Sequence, residues 1–128
     1  MQSATRDVIQ AHWTWANERK WEEFRALLHP ALHYEVPQTR EYADSAEGYL
    51  ELFRTWPGDW RATIQHLVCE ENKAVSVIEF KVEAELMTGI SIFGLTEGKI
   101  ISVTDYWPEP YEPPPRATAF LKRHTSEA

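Results

Sequence analysis

The chain has 128 residues, of which 43% are hydrophobic and 26% are charged, so it is long enough for one globular domain and is neither a disordered chain nor a fibre. The formal net charge of −7 argues against non-specific nucleic-acid binding, and no apolar run reaches the ~18 residues of a membrane span. Since the first residues lack the apolar core of a signal peptide, we expect a cytoplasmic protein with neither nucleic acid nor a membrane as its partner.

Three segments in the first half of the chain have the periodicity of amphipathic helices, with apolar residues three and four positions apart. In the first segment, Ile9, Trp13 and Ala16 form an apolar stripe. Pro30 is expected to end the second helix, since proline cannot continue a helix. The predicted helices cover residues 4–17, 21–28 and 45–56.

Most of the remaining chain alternates between apolar and polar residues, as strands do, and turn sequences separate the runs. The predicted strands cover residues 31–36, 60–68, 75–84, 90–95 and 100–107, and residues 38–44 are predicted as a polar loop. Helices followed by strands are typical of an α+β fold. Prolines beyond Trp107 prevent further pairing, so we predict one domain over residues 1–128 that ends in a proline-rich tail over residues 108–128.

The last strand carries an acidic residue on its apolar face. Asp105 alternates with Ile101, Val103 and Trp107, so its carboxyl group is expected to point into the core. Loss of solvation raises the pKa of such a group and makes it a useful acid or base. The other interpretation is structural: the carboxyl group hydrogen-bonds a Trp, Tyr or His inside the core.

Two histidines are candidate partners for a substrate or for Asp105. Alternation places His66 on one face with Trp60 and Ile64, where it would pair with Asp105 and act as a base near neutral pH. His12 lies on the first helix and would donate to a substrate oxygen. The structural alternatives are a hydrogen-bonded histidine at a strand end for His66 and an interhelical hydrogen bond for His12. No metal site is predicted, because the histidines lack the spacing of a metal-binding motif.

Aromatic residues from separate elements are expected to converge on one pocket, whose lining would suit a flat apolar ligand with a few polar groups. The alternative is that they fill the core. The predicted substrate-binding residues are His12, Trp15, Tyr34, Val36, Tyr49, Phe53, Trp56, Ile64, Phe80, Val82 and Trp107.

The element order and one motif resemble a known superfamily. The turn Glu97-Gly98-Lys99 leads into the strand that contains Thr104-Asp105-Tyr106-Trp107, and with the element order it resembles the SnoaL-like group of the NTF2-like superfamily over residues 8–111. The resemblance implies a cone in which a curved, mostly antiparallel sheet wraps around three helices and encloses an apolar pocket. It also implies a homodimer that forms through the outer face of the sheet.

Members of this superfamily differ in their catalytic residues. The resemblance puts Val36 where members that isomerise ketosteroids have an aspartate base, and it puts His12 and Ser91 where those members have their oxyanion-binding tyrosine and acid. Both the base and the acid donor are therefore absent.

Members that hydrolyse epoxides have an Arg-x-Asp pair at the positions of Phe80 and Val82, and of their residues only the acid at Asp105 remains. SnoaL-like polyketide cyclases, which use an acid on the last strand, match better. Scytalone-dehydratase-like members use His and Asp together, which keeps His66 as a candidate.

The sequence therefore predicts a protein that binds a hydrophobic, oxygenated small molecule, with or without cofactor-free acid–base chemistry such as cyclisation, isomerisation or dehydration. In the catalytic form of this hypothesis, Asp105 is the acid or base, His66 is its partner, and Tyr34 or His12 binds the substrate oxygen. The alternatives are a ligand-binding module without catalysis and a protein-interaction domain that uses its sheet and its proline-rich tail.

Overall fold

The computed structural model describes residues 2–124 and contains three helices and six strands. Along the chain, the three helices and two strands precede four long strands. This order confirms the predicted α+β class. The elements are α1 (Gln2–Glu18), α2 (Trp21–Ala26), β1 (Leu28–Val36), β2 (Glu41–Ala43), α3 (Ala46–Thr55), β3 (Trp60–Glu70), β4 (Lys73–Val82), β5 (Glu85–Thr96) and β6 (Lys99–Tyr106).

The six strands form one curved, unclosed sheet in the order β2-β1-β6-β5-β4-β3. All neighbouring strands are antiparallel except β1 and β6, which run parallel. Helix α1 packs on β3 and β4, and α3 packs on β1, so the helices cover one face of the sheet. This arrangement confirms the predicted sheet around N-terminal helices.

The core lies between the helices and the covered face of the sheet. Its largest fully buried side chains include Trp60, Tyr49, Phe24 and Phe93. Burial of aromatic side chains of this size is the main source of stability that the sequence can supply. Ser45 is the N-cap of α3, and its hydroxyl accepts a hydrogen bond from the Gly48 amide at 3.1 Å.

The first strand begins earlier than predicted. Leu28 already belongs to β1, and Pro30 lies inside the strand instead of ending a helix. The pairing of β1 with β6 is interrupted between Leu28 and His33, so the missing amide of Pro30 costs no regular ladder bond there. The predicted polar loop also contains the short strand β2, which pairs with the end of β1.

The predicted face of His66 is wrong. The register of β3 against β4 shifts between Ile64 and His66, which marks a β-bulge at Gln65. An extra residue reverses the alternation beyond it, so Leu67 is partly buried against the core while His66 is exposed on the opposite face.

The tail carries no helix or strand between residues 107 and 124, and residues 125–128 of the predicted tail lie outside the described part of the chain. Its contacts include an ion pair in which Arg123 donates to the Glu112 carboxylate at 2.7 Å. Among the described residues, no helix has the length and apolar character needed to cross a membrane.

Candidate functional site

The Asp105 carboxyl group lies buried near the end of β6 and is 4% exposed. The Ser91 hydroxyl donates to its Oδ1 atom at 2.6 Å, and the Tyr34 hydroxyl donates to its Oδ2 atom at 2.8 Å. Each carboxyl oxygen therefore has one hydroxyl donor.

The sheet topology explains how these three side chains meet. Ser91 is the direct cross-strand neighbour of Asp105 on β5. Tyr34 comes from β1, which pairs with the other side of β6, and its neighbour there is Val103. Because side chains two residues apart on a strand share a face, Tyr34 and Asp105 point to the same side of the sheet.

Burial raises the pKa of Asp105 from 3.8 to about 6, although the hydrogen bonds from Ser91 and Tyr34 act in the opposite direction. Burial and the neighbouring Asp105 carboxylate raise the pKa of the Tyr34 hydroxyl, so Tyr34 stays protonated and remains a donor. The site thus holds a carboxyl group that exchanges a proton close to neutral pH.

A cavity of about 110 Å³ opens beside Asp105. Its mouth includes the exposed residues Thr39, Glu41 and Trp56, and its other walls are buried or half-buried. The lining consists of Trp13, Tyr34, Val36, Thr39, Glu41, Leu52, Phe53, Trp56, Trp60, Phe80, Asp105 and Trp107.

The structure brings part of the predicted set together in this cavity. The predicted residues in its lining are Asp105, Tyr34, Val36, Phe53, Trp56, Phe80 and Trp107. The predicted residues outside its lining are His66, His12, Trp15, Tyr49, Ile64 and Val82. His66 is on the uncovered face, and Trp15 is half-buried with the Lys20 ammonium 5.5 Å from its ring centre.

His12 and Tyr49 form a buried pair behind the cavity wall. The His12 Nε2 atom lies 2.7 Å from the Tyr49 hydroxyl, and both residues are fully buried. Burial lowers the pKa of His12 to about 3, so its ring is neutral at physiological pH. The hydrogen bond between His12 and Tyr49 therefore joins α1 to α3, which is the interhelical alternative.

Sequence reasoning missed several lining residues and two residues that hold the cavity wall. From the sequence, Trp13 is expected on the apolar stripe of the first helix, Trp60 on one face of a strand with His66, and Glu41 in a polar loop. The Gln38 amide group bonds both the backbone N–H and the carbonyl of Trp107, which fixes that residue at the mouth. A side chain on Gly89 would come within 2.9 Å of the Trp107 ring, so this glycine makes room for the indole. The sequence signal for the contact between Gly89 and Trp107 was the presence of a glycine inside a strand.

The charged groups of the lining are the carboxyl groups of Asp105 and Glu41. The Thr39 hydroxyl donates to the Glu41 carboxylate at 2.7 Å. The lining contains no Lys, Arg or His side chain, and Arg40 and Arg54 both lie outside it. Within residues 2–124, no group of three or more His, Cys, Asp or Glu side chains is arranged to hold a metal ion.

Comparison with known proteins places these observations in a family. Residues 9–103 match the SnoaL-like domain. A protein from Kribbella flavida provisionally assigned as a ketosteroid isomerase is 33% identical, with a TM-score of 0.90 over 98% of this chain and 93% of that one. No curated protein sequence matches the chain significantly.

Two more distant structures share the fold alone. One is an LEH-like epoxide hydrolase of M. tuberculosis, 13% identical with a TM-score of 0.69 over 84% of both chains. The other is IdmH of Streptomyces antibioticus, provisionally assigned as a polyketide cyclase, 18% identical with a TM-score of 0.69 over 80% of this chain and 91% of that one.

Proposed function

Because the chain belongs to the family of SnoaL-like domains, we propose that it binds a compact, hydrophobic, oxygenated molecule in the cavity and exchanges a proton with it through Asp105. The observation that carries this proposal is the position of Asp105, a buried carboxyl group with two hydroxyl donors in the wall of an aromatic cavity. Ionisable groups with shifted pKa values in such cavities are enriched at functional sites.

The chemistry requires only the movement of a proton. The Asp105 carboxylate takes a proton from the bound molecule, and the resulting carboxylic acid returns it to another atom of the same molecule. Cyclisation, isomerisation and dehydration all fit this cycle without an oxidant or a reductant. A pKa of about 6 suits both steps, since acid and base forms coexist near neutral pH. Tyr34 and Ser91 act as positioning residues, because their hydroxyl groups hold the carboxyl group in one orientation.

The test compares the wild-type protein with the variants Asp105→Asn and Asp7→Asn in a screen of compact aromatic, terpenoid and polyketide-like compounds. Asp7 is exposed on α1 and does not belong to the cavity lining, so its replacement removes a charge without changing the cavity wall. We expect turnover of a bound compound by the wild type and by Asp7→Asn, and a loss of ~10²-fold or more in Asp105→Asn. Equal turnover in all three proteins would refute the role of Asp105.

The second candidate function is ligand binding without catalysis. It is favoured by the hydrogen bonds of the site, because both oxygens of Asp105 already accept a hydroxyl group and the carboxyl group is therefore structurally satisfied. Under this alternative, the same compound binds to the wild type and to Asp105→Asn with similar affinity, and neither protein changes it. Product analysis of the bound compound distinguishes the two functions.

We also propose that two copies of the chain associate through the uncovered face of the sheet. The apolar residues of this face are adjacent in the register, with Val68 opposite Val75 and Val75 opposite Ile92. Val68 on β3 is 65% exposed and Ile92 on β5 is 38% exposed, so together with Val75 on the strand between them they form an apolar patch on this face. A Val68→Lys variant should therefore be monomeric in sedimentation experiments where the wild type is a dimer, and a monomeric wild type would refute this proposal.

A further inference from the structure

Both charged groups of the cavity wall, Asp105 and Glu41, are carboxyl groups that accept hydrogen bonds. Three donors of the wall already have acceptors within the protein. The Tyr34 hydroxyl donates to Asp105, the Thr39 hydroxyl donates to Glu41, and the Trp13 indole N–H donates to the buried Ser76 hydroxyl at 3.2 Å. With two carboxyl groups and no Lys, Arg or His in the lining, the wall offers little to an anionic ligand.

Three aromatic side chains of the wall contact one another at large angles. We use the term aromatic cage for Trp56, Phe80 and Trp107. The Trp56 and Trp107 rings both stand edge-on to Phe80, with centroid distances of 5.8 and 5.5 Å and interplanar angles of 87° and 72°. Both pairs of rings are in contact, so a ligand lies against the three rings on their cavity side, where an aromatic face attracts a cation.

Charge and size point to the same kind of ligand. The cavity of about 110 Å³ is smaller than the ~150 Å³ cavity that admits benzene, so only a compact group enters fully and the rest of the ligand extends through the mouth. Glu41 lies in the lining where the rest would pass, and Asp105 lies at the buried end. A quaternary or protonated amine with small alkyl groups meets both requirements.

We propose that the ligand of this cavity is a compact organic cation whose ammonium group lies against the aromatic cage, between the carboxyl groups of Asp105 and Glu41. This inference rests on the proposed function, because it names the charge class of the molecule that the same cavity binds. Contact with a cation also keeps Asp105 ionised, which favours its action as a base.

The test uses a pair of compounds with the same shape and different charge, choline and 3,3-dimethylbutan-1-ol. Titration calorimetry or tryptophan fluorescence would measure the affinity of each for the full chain at neutral pH. We expect choline to bind about tenfold more tightly than the neutral alcohol, which is the range of a cation in contact with aromatic rings. Equal affinities, or tighter binding of the alcohol, would overturn the inference and leave the proposed function in place.

Two variants and a matched control locate the effect. Glu41→Gln and Trp56→Leu should each reduce the preference for choline, and both side chains are exposed enough to be replaced without loss of folding. Glu70→Gln removes the same charge at the opposite end of β3 from Trp60 and should leave the preference unchanged. A preference that survives in Glu41→Gln and Trp56→Leu would show that choline binds elsewhere and would overturn the assignment.

Failure of this inference is distinguishable from failure of the proposed function. One outcome is that neither choline nor the alcohol binds at millimolar concentrations while a neutral compound from the wider screen binds beside Asp105. This outcome would refute the inference of a cationic ligand and leave the proposed binding function of the cavity in place. If no compound of either set perturbs the cavity tryptophans, both are wrong.

Discussion

Replacement of Asp105 by asparagine should stabilise the protein at neutral pH. Burial raises the pKa of this carboxyl group from 3.8 to about 6, so the folded protein holds the ionised form at a cost. Since each pH unit between the folded and unfolded pKa values corresponds to about 1.4 kcal/mol, the ionised carboxylate lowers the free energy of unfolding by about 3 kcal/mol above pH 6. Asparagine carries no charge and avoids this cost.

The direction of the pH dependence follows from the same values. Between pH 3.8 and about 6 the folded state binds more protons than the unfolded state at this residue, so the contribution of Asp105 to stability falls as the pH rises. Below about pH 3 the carboxyl group is mostly neutral in both states. The stability advantage of Asp105→Asn should therefore be small near pH 4, increase up to about pH 7, and remain constant above it.

Urea unfolding of the wild type and the variant at several pH values measures this difference directly. The net gain at neutral pH is expected to be about 1–3 kcal/mol, because the asparagine side chain must still satisfy the hydroxyl groups of Ser91 and Tyr34. Taking the difference between the two proteins cancels the titration of His12, which both contain. The exposed-site variant Asp7→Asn is the control and should show no such gain.

Two results would refute this reasoning. A stability difference that is the same near pH 4 and at neutral pH would show that the Asp105 carboxyl group is not destabilised by burial. A variant that becomes less stable than the wild type as the pH rises would show that the hydrogen bonds from Ser91 and Tyr34 outweigh the loss of solvation.

Three further predictions concern the rest of the framework. Because burial lowers the pKa of His12 from 6.5 to about 3, wild-type stability should fall as the pH drops from 6.5 toward 3. In urea unfolding, His12→Gln should flatten that part of the curve of stability against pH. An unchanged slope would contradict the burial of the ring. Gly89→Ala should push against the Trp107 ring and shift the tryptophan fluorescence while reducing ligand affinity, whereas unchanged spectra would argue against the close contact. Ser45→Ala removes the cap of α3 and should cost about 1 kcal/mol of stability, and retention of full stability would show that the Gly48 amide finds another acceptor.

Local patterns in the sequence were sufficient for the class of fold and for the direction of several side chains. Alternation along β6 places Asp105 on the covered face, and alternation along β1 does the same for Tyr34 and Val36. These predictions succeed because the face of a residue in a regular strand depends only on its neighbours in the chain.

The same rule failed where the strand is irregular. The bulge at Gln65 turns His66 away from the core. The alternation of residues along β3 did not predict this extra residue. The bulge arises because β3 and β4 pair over their whole length while the core accepts Leu67 rather than His66 on its side.

Tertiary structure alone decided what the acid contacts. Tyr34 and Asp105 are separated by 71 positions, and they meet because β1 pairs in parallel with β6 at one register. The choice of that partner strand and register depends on the packing free energy of the whole sheet, which no window of the sequence contains. The sequence therefore determined that a carboxyl group would be buried in an apolar sheet, whereas the fold determined its donors, its cavity and the aromatic rings around it.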